Sequence, residues 1–159
     1  MSQASQAVIV HERLGRWARQ LRPRLADRST RVHETRSWDD LEAALATAAT
    51  PCPLVVIDLA RRVRPGLEDL IRLVNVAPDA LTLVLDPDGS DEVALLSQEF
   101  GASHVISGAV PPPTVAALLV RWLALARRRA EASGWSALAA VVDEPEPWNW
   151  LNPLIDPAT

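Results

Sequence analysis

"PCPLVVIDLARR", residues 51–62, decides the fold. Its centre, Pro53 to Asp58, is an unbroken apolar, β-branched run of strand length. A strand with one wet face alternates apolar and polar residues, whereas a parallel strand covered on both faces reads as a continuous apolar run. The stretch therefore predicts a central parallel strand. It also ends abruptly on a carboxylate, Asp58, followed at once by Arg61 and Arg62.

Working outward, short β-type runs alternate with helical patterns. "AVIV" (7–10) is the first strand. "RLGRWARQLRPRLA" (13–26) follows as a helix with Leu14, Trp17, Ala18, Leu21 and Leu25 on one face, kinked or shortened by Pro23. "TRVHET" (30–35) alternates like an edge strand. Ser37 and Asp40 form an S-x-x-D capping signal before the alanine-rich "LEAALATAA".

Beyond Asp58, a helix beginning near Pro65-Gly66 places Leu67, Leu70, Ile71 and Val74 together. "ALTLVLD" (80–86) is a second central strand, and "DPDGSDE" supplies turn residues and acids suited to a helix start. Val93, Leu96 and Phe100 mark the next helix, with Gly101 as its C-cap, and "SHVIS" (103–107) is the fifth strand. The last helix follows "PPPT", buries Val115, Leu118, Leu119, Trp122 and Leu125, and closes on Arg127, Arg128 and Arg129.

Five strands alternating with five helices over residues 6–130 predict an α/β, flavodoxin-like three-layer sandwich. Right-handed crossovers favour a five-stranded parallel sheet of order 2-1-3-4-5. Any site then lies at the carboxyl ends of strands 1 and 3, where Glu12 and Asp58 fall. A dinucleotide fold lacks its G-x-G-x-x-G after strand 1, and a P-loop lacks both its glycines and its lysine.

The 159 residues are 48% apolar and 23% charged, a globular balance that suits one domain and a tail. No apolar run approaches the roughly 20 residues of a membrane span, and MSQASQAVIV lacks the features of a secretory signal. The single cysteine, Cys52, is expected as a plain buried thiol in a reducing cytoplasm. All sixteen basic residues are arginine, which closes any mechanism requiring a lysine ammonium.

With the strands placed, residues 6–130 resemble the receiver (CheY-like) domain of bacterial response regulators. "VIVHER" stands where receivers end strand 1 on an acidic pair. "PLVVIDL" looks like the strand 3 signature ending on the phospho-accepting aspartate, which would be Asp58. "RPGLEDL" resembles the loop and helix that follow, and "GASHVISGAV" the approach to the family's lysine-proline. The resemblance implies Mg²⁺ held by the acidic pair, a nucleophilic aspartate, a hydroxyl after strand 4 and a lysine after strand 5.

Here His11 and Glu12 replace the pair, Asp86 stands in the hydroxyl position, and Gly108-Ala109 replaces lysine-proline. Metal and lysine neutralise charge as a carboxylate attacks a phosphate, so their loss argues against the chemistry. The expectation is a degenerate pseudo-receiver, not an enzyme, with no cofactor. In the alternative, a single-domain response regulator is phosphorylated on Asp58 with Mg²⁺ on Glu12 and Asp58, or on a cluster of Glu12, Asp58 and Asp86. Without metal, Asp58 is expected solvated at the sheet edge or paired with Arg61 or Arg62, and His11 as a hydrogen-bonding replacement.

Arg13, Arg16, Arg19, Arg22 and Arg24 read as a solvated helix face rather than a nucleic-acid surface, given a net charge of −4 and no helix-turn-helix. Residues 131–159 are a linker and an acidic, Trp/Pro-rich tail, with a short helix around 135–142. In "DEPEPWNWLNPLIDPAT" prolines interrupt any helix, while Trp148, Trp150, Leu151, Leu154 and Ile155 offer anchors for a partner protein or a second copy of the chain.

Overall fold

The computed structural model describes residues 6–26, 30–48 and 50–142, of which 133–142 are described as helical backbone. The order is β1 (Gln6–His11), α1 (Arg16–Leu25), β2 (Thr30–Thr35), α2 (Trp38–Thr47), β3 (Leu54–Asp58), α3 (Val63–Val76), β4 (Leu81–Asp86), α4 (Asp91–Glu99), β5 (His104–Ser107) and α5 (Pro112–Val142). The strands form one sheet in the order β2-β1-β3-β4-β5, every pairing parallel. The expected flavodoxin-like topology is the observed one.

The continuous apolar character of β3 has the expected cause. Leu54 and Val56 enter one core with Trp17, Leu21 and Leu25 of α1 and Val115, Leu119 and Leu123 of α5. Val55 and Ile57 enter the other with Leu41 of α2 and Leu67, Leu70 and Leu73 of α3. Each fully buried Leu, Ile or Val contributes about 1.5–3 kcal/mol, so the two cores fix the sheet between its helical layers. β2 and β5 are the half-exposed edges.

Local signals set the boundaries. Ser37 and Asp40 close the reciprocal capping box at the start of α2. Gly66 lets α3 approach the β3 exit, because a Cβ there would overlap the Leu59 side chain. Pro23 lies inside α1, which ends two residues later at Leu25.

Four expectations need correction. Leu14 precedes α1 and is exposed, because Gly15 in the left-handed region starts the helix one residue after it. In α3 the buried stripe runs through Leu67, Leu70 and Leu73, which leaves Ile71 exposed. In α5 the stripe steps through Val115, Leu119, Leu123 and Ala126; Leu118 and Trp122 flank it half-buried, and Leu125 is exposed. Nor does α5 stop at Arg129: it continues to Val142, so the short helix expected around 135–142 is part of it. Gln6 ties this helix to β1, donating from Nε2 to Leu123 O (3.1 Å) and accepting from Arg127 Nε (3.0 Å). No helix among the described residues is long and apolar enough to cross a membrane.

Candidate functional site at the carboxyl ends of β1 and β3

The parallel register puts His11 beside Ile57, and Asp58 beside Leu85 of β4, so the expected site residues emerge at one end of the sheet. They do not converge as a ligand cluster. Glu12, buried, turns toward α1: its Oε1 accepts from Ala18 N (2.7 Å) and its Oε2 from Trp17 N (2.9 Å). Gly15 offers α1 no side-chain cap, so Glu12 takes that role with its negative charge against the helix N-terminus. Asp86, also buried, accepts from Asp88 N (3.3 Å) and Ser90 N (2.8 Å) and holds the loop into α4.

Asp58 is 4% exposed, not solvated. Its Oδ1 accepts from Ala60 N (3.2 Å), and Arg16 Nη2 stands 3.6 Å from its Oδ2. The expected partners are elsewhere. Arg61 is exposed, while Arg62 approaches Asp69 Oδ2 on α3 (3.9 Å) and donates to Arg36 O (2.9 Å) in the loop between β2 and α2. Arg16 reaches Asp58 because α1 begins over this end of the sheet. Burial pushes the Asp58 carboxyl above the usual carboxylate range; the Ala60 amide and Arg16 oppose the shift and the Glu12 charge adds to it.

Mg²⁺ keeps several waters and is held to protein through one or two carboxylates, whose oxygens must be free to reach it. Glu12 and Asp86 have theirs engaged by backbone amides, which leaves Asp58 Oδ2 facing a guanidinium. No three His, Cys, Asp or Glu side chains are grouped to hold a metal among the described residues. This donor set does not fit the ion that the receiver resemblance implies. At the lysine position, Gly108 adopts φ 86°, and a Cβ added to it would meet nothing within 4 Å. A cavity of about 200 Å³ opens there, bounded by Arg16, Trp17, Asp58, Leu85, Val110 and Pro112 among others. Trp17 Nε1 and Arg16 Nε, both buried, have no hydrogen-bond partner.

His11 belongs to a separate, closed arrangement. Its Nδ1 meets Thr35 Oγ1 at 2.9 Å and its Nε2 meets Asp69 Oδ2 at 3.0 Å, with all three residues buried. With Asp69 as carboxylate, Nε2–H donates to it and, in the neutral ring, Nδ1 accepts from the Thr35 hydroxyl. Burial lowers the His11 pKa, the Asp69 hydrogen bond and charge oppose this, Arg62 adds to the lowering, and Asp40 opposes it. Arg62 and Arg72 each lie 3.9 Å from an Asp69 oxygen.

Sequence reasoning named His11 and missed Asp69, Thr35 and the pairing role of Arg16. The available signal was Asp69 itself, an acid set beside Leu70 within the apolar pattern of α3. Of the other basic residues near α1, Arg13, Arg19, Arg22 and Arg24 are exposed, and Arg22 pairs with Glu34 at 3.7 Å. Cys52 is buried as expected, and burial raises its pKa. Trp148, Trp150, Leu151, Leu154 and Ile155 lie outside the described residues.

The fold is that of response-regulator receiver domains. It is similar to a CheY-like receiver domain protein from Methanospirillum hungatei, with TM-score 0.65 and 14% identity over 78% of this chain and 98% of that one. A response regulator from Thermotoga maritima gives 0.63 and 15% over 74% and 96%. A response regulator from Burkholderia pseudomallei, described with a phosphorylated aspartic acid, a calcium ion and citrate, gives 0.58 and 22% over 87% and 75%. No protein-family model matches the chain, and no curated protein sequence matches it.

Proposed function

We propose that this chain is a non-catalytic pseudo-receiver of the cytoplasm, acting as a protein–protein interaction or signalling adaptor. The observation that carries the reading is the surroundings of Asp58. Arginine stands in for metal, Glu12 is spent on capping α1, and the lysine position is a glycine beside open space. A carboxylate so placed lacks the mobile cation and the metal that offset charge during phosphoryl transfer. The partner is another protein or a second copy of the chain, with neither nucleic acid nor membrane as the target. Residues 143–159 supply a docking segment through Trp148, Trp150, Leu151, Leu154 and Ile155. A half-exposed groove between β5 and α5, which includes Ile106, Val110 and Leu118, supplies a second contact.

The alternative, a single-domain response regulator phosphorylated on Asp58, is favoured by one observation: the acid is retained, buried, and borders the cavity. Mg²⁺ titration followed by tryptophan fluorescence separates the two. The pseudo-receiver gives no saturable change; a saturable change lost in Asp58→Asn supports the alternative. Deletion of residues 143–159 is expected to weaken partner capture or self-association, and an unchanged pattern of both would remove the tail from the account.

A further inference from the structure

We propose that the far end of α5, from Arg127 onward, is the pairing surface for a second copy of this chain, bound antiparallel. The helix leaves the domain there. Among its described side chains Ala126 is the last buried one; Arg127, Arg128, Arg129, Glu131 and Ala132 are exposed, while the helical backbone continues to Val142. A helical stretch of this length is marginal in water unless an apolar face packs against something, so the extension calls for a partner.

The sequence of the extension supplies the face. Residues 130–142, AEASGWSALAAVV, carry a single charge, Glu131. Leu125, Arg128, Ala132, Trp135, Ala139 and Val142 follow the alternating three- and four-residue step of a helix–helix seam, which places these positions along one side of the helix. Leu125 and Ala132, where the seam leaves the domain, are exposed.

Charge selects the occupant and its direction. Arg127, Arg128 and Arg129 precede the apolar stretch, and Asp143, Glu144 and Glu146 follow it. A parallel pair sets arginines on arginines and acids on acids. An antiparallel pair sets the arginines of each copy against the acids of the other, and the seam then matches itself. Arg128 comes level with Glu146, Ala132 with Val142, and Trp135 with Ala139, so the largest residue of the seam comes level with a small one. The helix end also lacks a cation: α5 has no base in its last turn, acids follow at once, and negative charge at a helix carboxyl end is unfavourable. Its own Arg127 and Arg128 are out of reach. At roughly 1.5 Å per residue, Val142 stands about 21 Å along the axis from Arg128. Asp143 and Glu144 lie one and two residues further, and at about 3.5 Å of chain per residue they fall short of that span.

The inference rests on the adaptor reading and names its partner as a second copy. Sedimentation equilibrium of the full chain is expected to give a saturable dimer. Arg128→Glu acts at both ends of the pair and should weaken it at least about tenfold, with the circular dichroism spectrum retained. Arg128→Glu/Glu146→Arg exchanges the charges and should return the affinity to within about threefold of the unmodified chain. Ala132→Cys and Val142→Cys test the direction. Oxidised separately, neither should cross-link, because like positions near residue 132 lie about 15 Å apart in the antiparallel pair. Mixed, they should form a disulfide dimer. A monomer at every concentration, which leaves the segment to its own chain or to another protein, would overturn the proposal. So would a dimer indifferent to Arg128→Glu, no recovery on charge exchange, no disulfide in the mixture, or cross-linking by either cysteine variant alone. An aspartyl-phosphate adduct would instead break the pseudo-receiver reading and leave the dimer standing, so the two failures are told apart.

Discussion

Two neighbouring strand ends have gone opposite ways. At the end of β1, His11 is clamped at both ring nitrogens by Thr35 and Asp69, at 2.9 and 3.0 Å. At the end of β3, Asp58 keeps a single amide bond and a loose arginine beside a cavity. In the first region the replaced residue joins β1, β2 and α3 into one buried contact. In the second the retained residue holds little together. The two strand ends therefore do different work: His11 holds three elements together, whereas Asp58 holds little and borders a cavity.

The largest expected effect breaks the tight end. Asp69→Ala removes the carboxylate facing His11, Arg62 and Arg72 and should cost about 3 kcal/mol in urea denaturation. A loss comparable to that of an exposed substitution would show that the clamp is not stabilising. Next, Glu12→Ala frees two buried amides at the start of α1, and about 1–2 kcal/mol should be lost. If Glu12 were instead a metal ligand, its removal would relieve acidic repulsion with Asp58 in metal-free buffer and raise stability.

The same comparison sharpens with pH. The folded state lowers the His11 pKa below its ordinary value of about 6.5, so the neutral ring is the one the fold favours. Its stabilisation is fully present above pH 6.5 and is lost as pH falls through the folded value. Asp58 runs the other way: its raised pKa makes ionisation a cost that appears as pH rises above the unfolded carboxylate range. Urea midpoints measured from pH 7.5 down to pH 5 should fall in the wild type and flatten in His11→Gln. Asp58→Asn, the smallest effect, should leave stability at pH 7 unchanged or slightly raised; a clear loss would mean that the Arg16 contact matters more than the burial of the charge.

Much of the fold was legible because it rests on patterns that the backbone reads directly. The apolar run 53–58 announced a two-sided strand, and Ser37 with Asp40 announced the α2 start. Helix faces were legible only to within one stripe. Ile71 and Leu125 satisfy the periodicity as well as Leu73 and Leu123 do, and only packing against the sheet separates them. The site was legible as an address. That Asp58 pairs with Arg16 rather than with its neighbours Arg61 and Arg62 depends on where α1 begins relative to β3, a relation between elements that no local spacing encodes. Asp69 and Thr35 were illegible for the same reason, since they lie 58 and 24 residues from His11.

The central claim is that Asp58 occupies a phospho-acceptor's place without its chemistry. Intact-mass measurement after incubation with acetyl phosphate or phosphoramidate and Mg²⁺ tests it most directly. The account predicts an unmodified chain. A hydroxylamine-sensitive gain of about 80 Da, one phosphoryl group, that disappears in Asp58→Asn would contradict it.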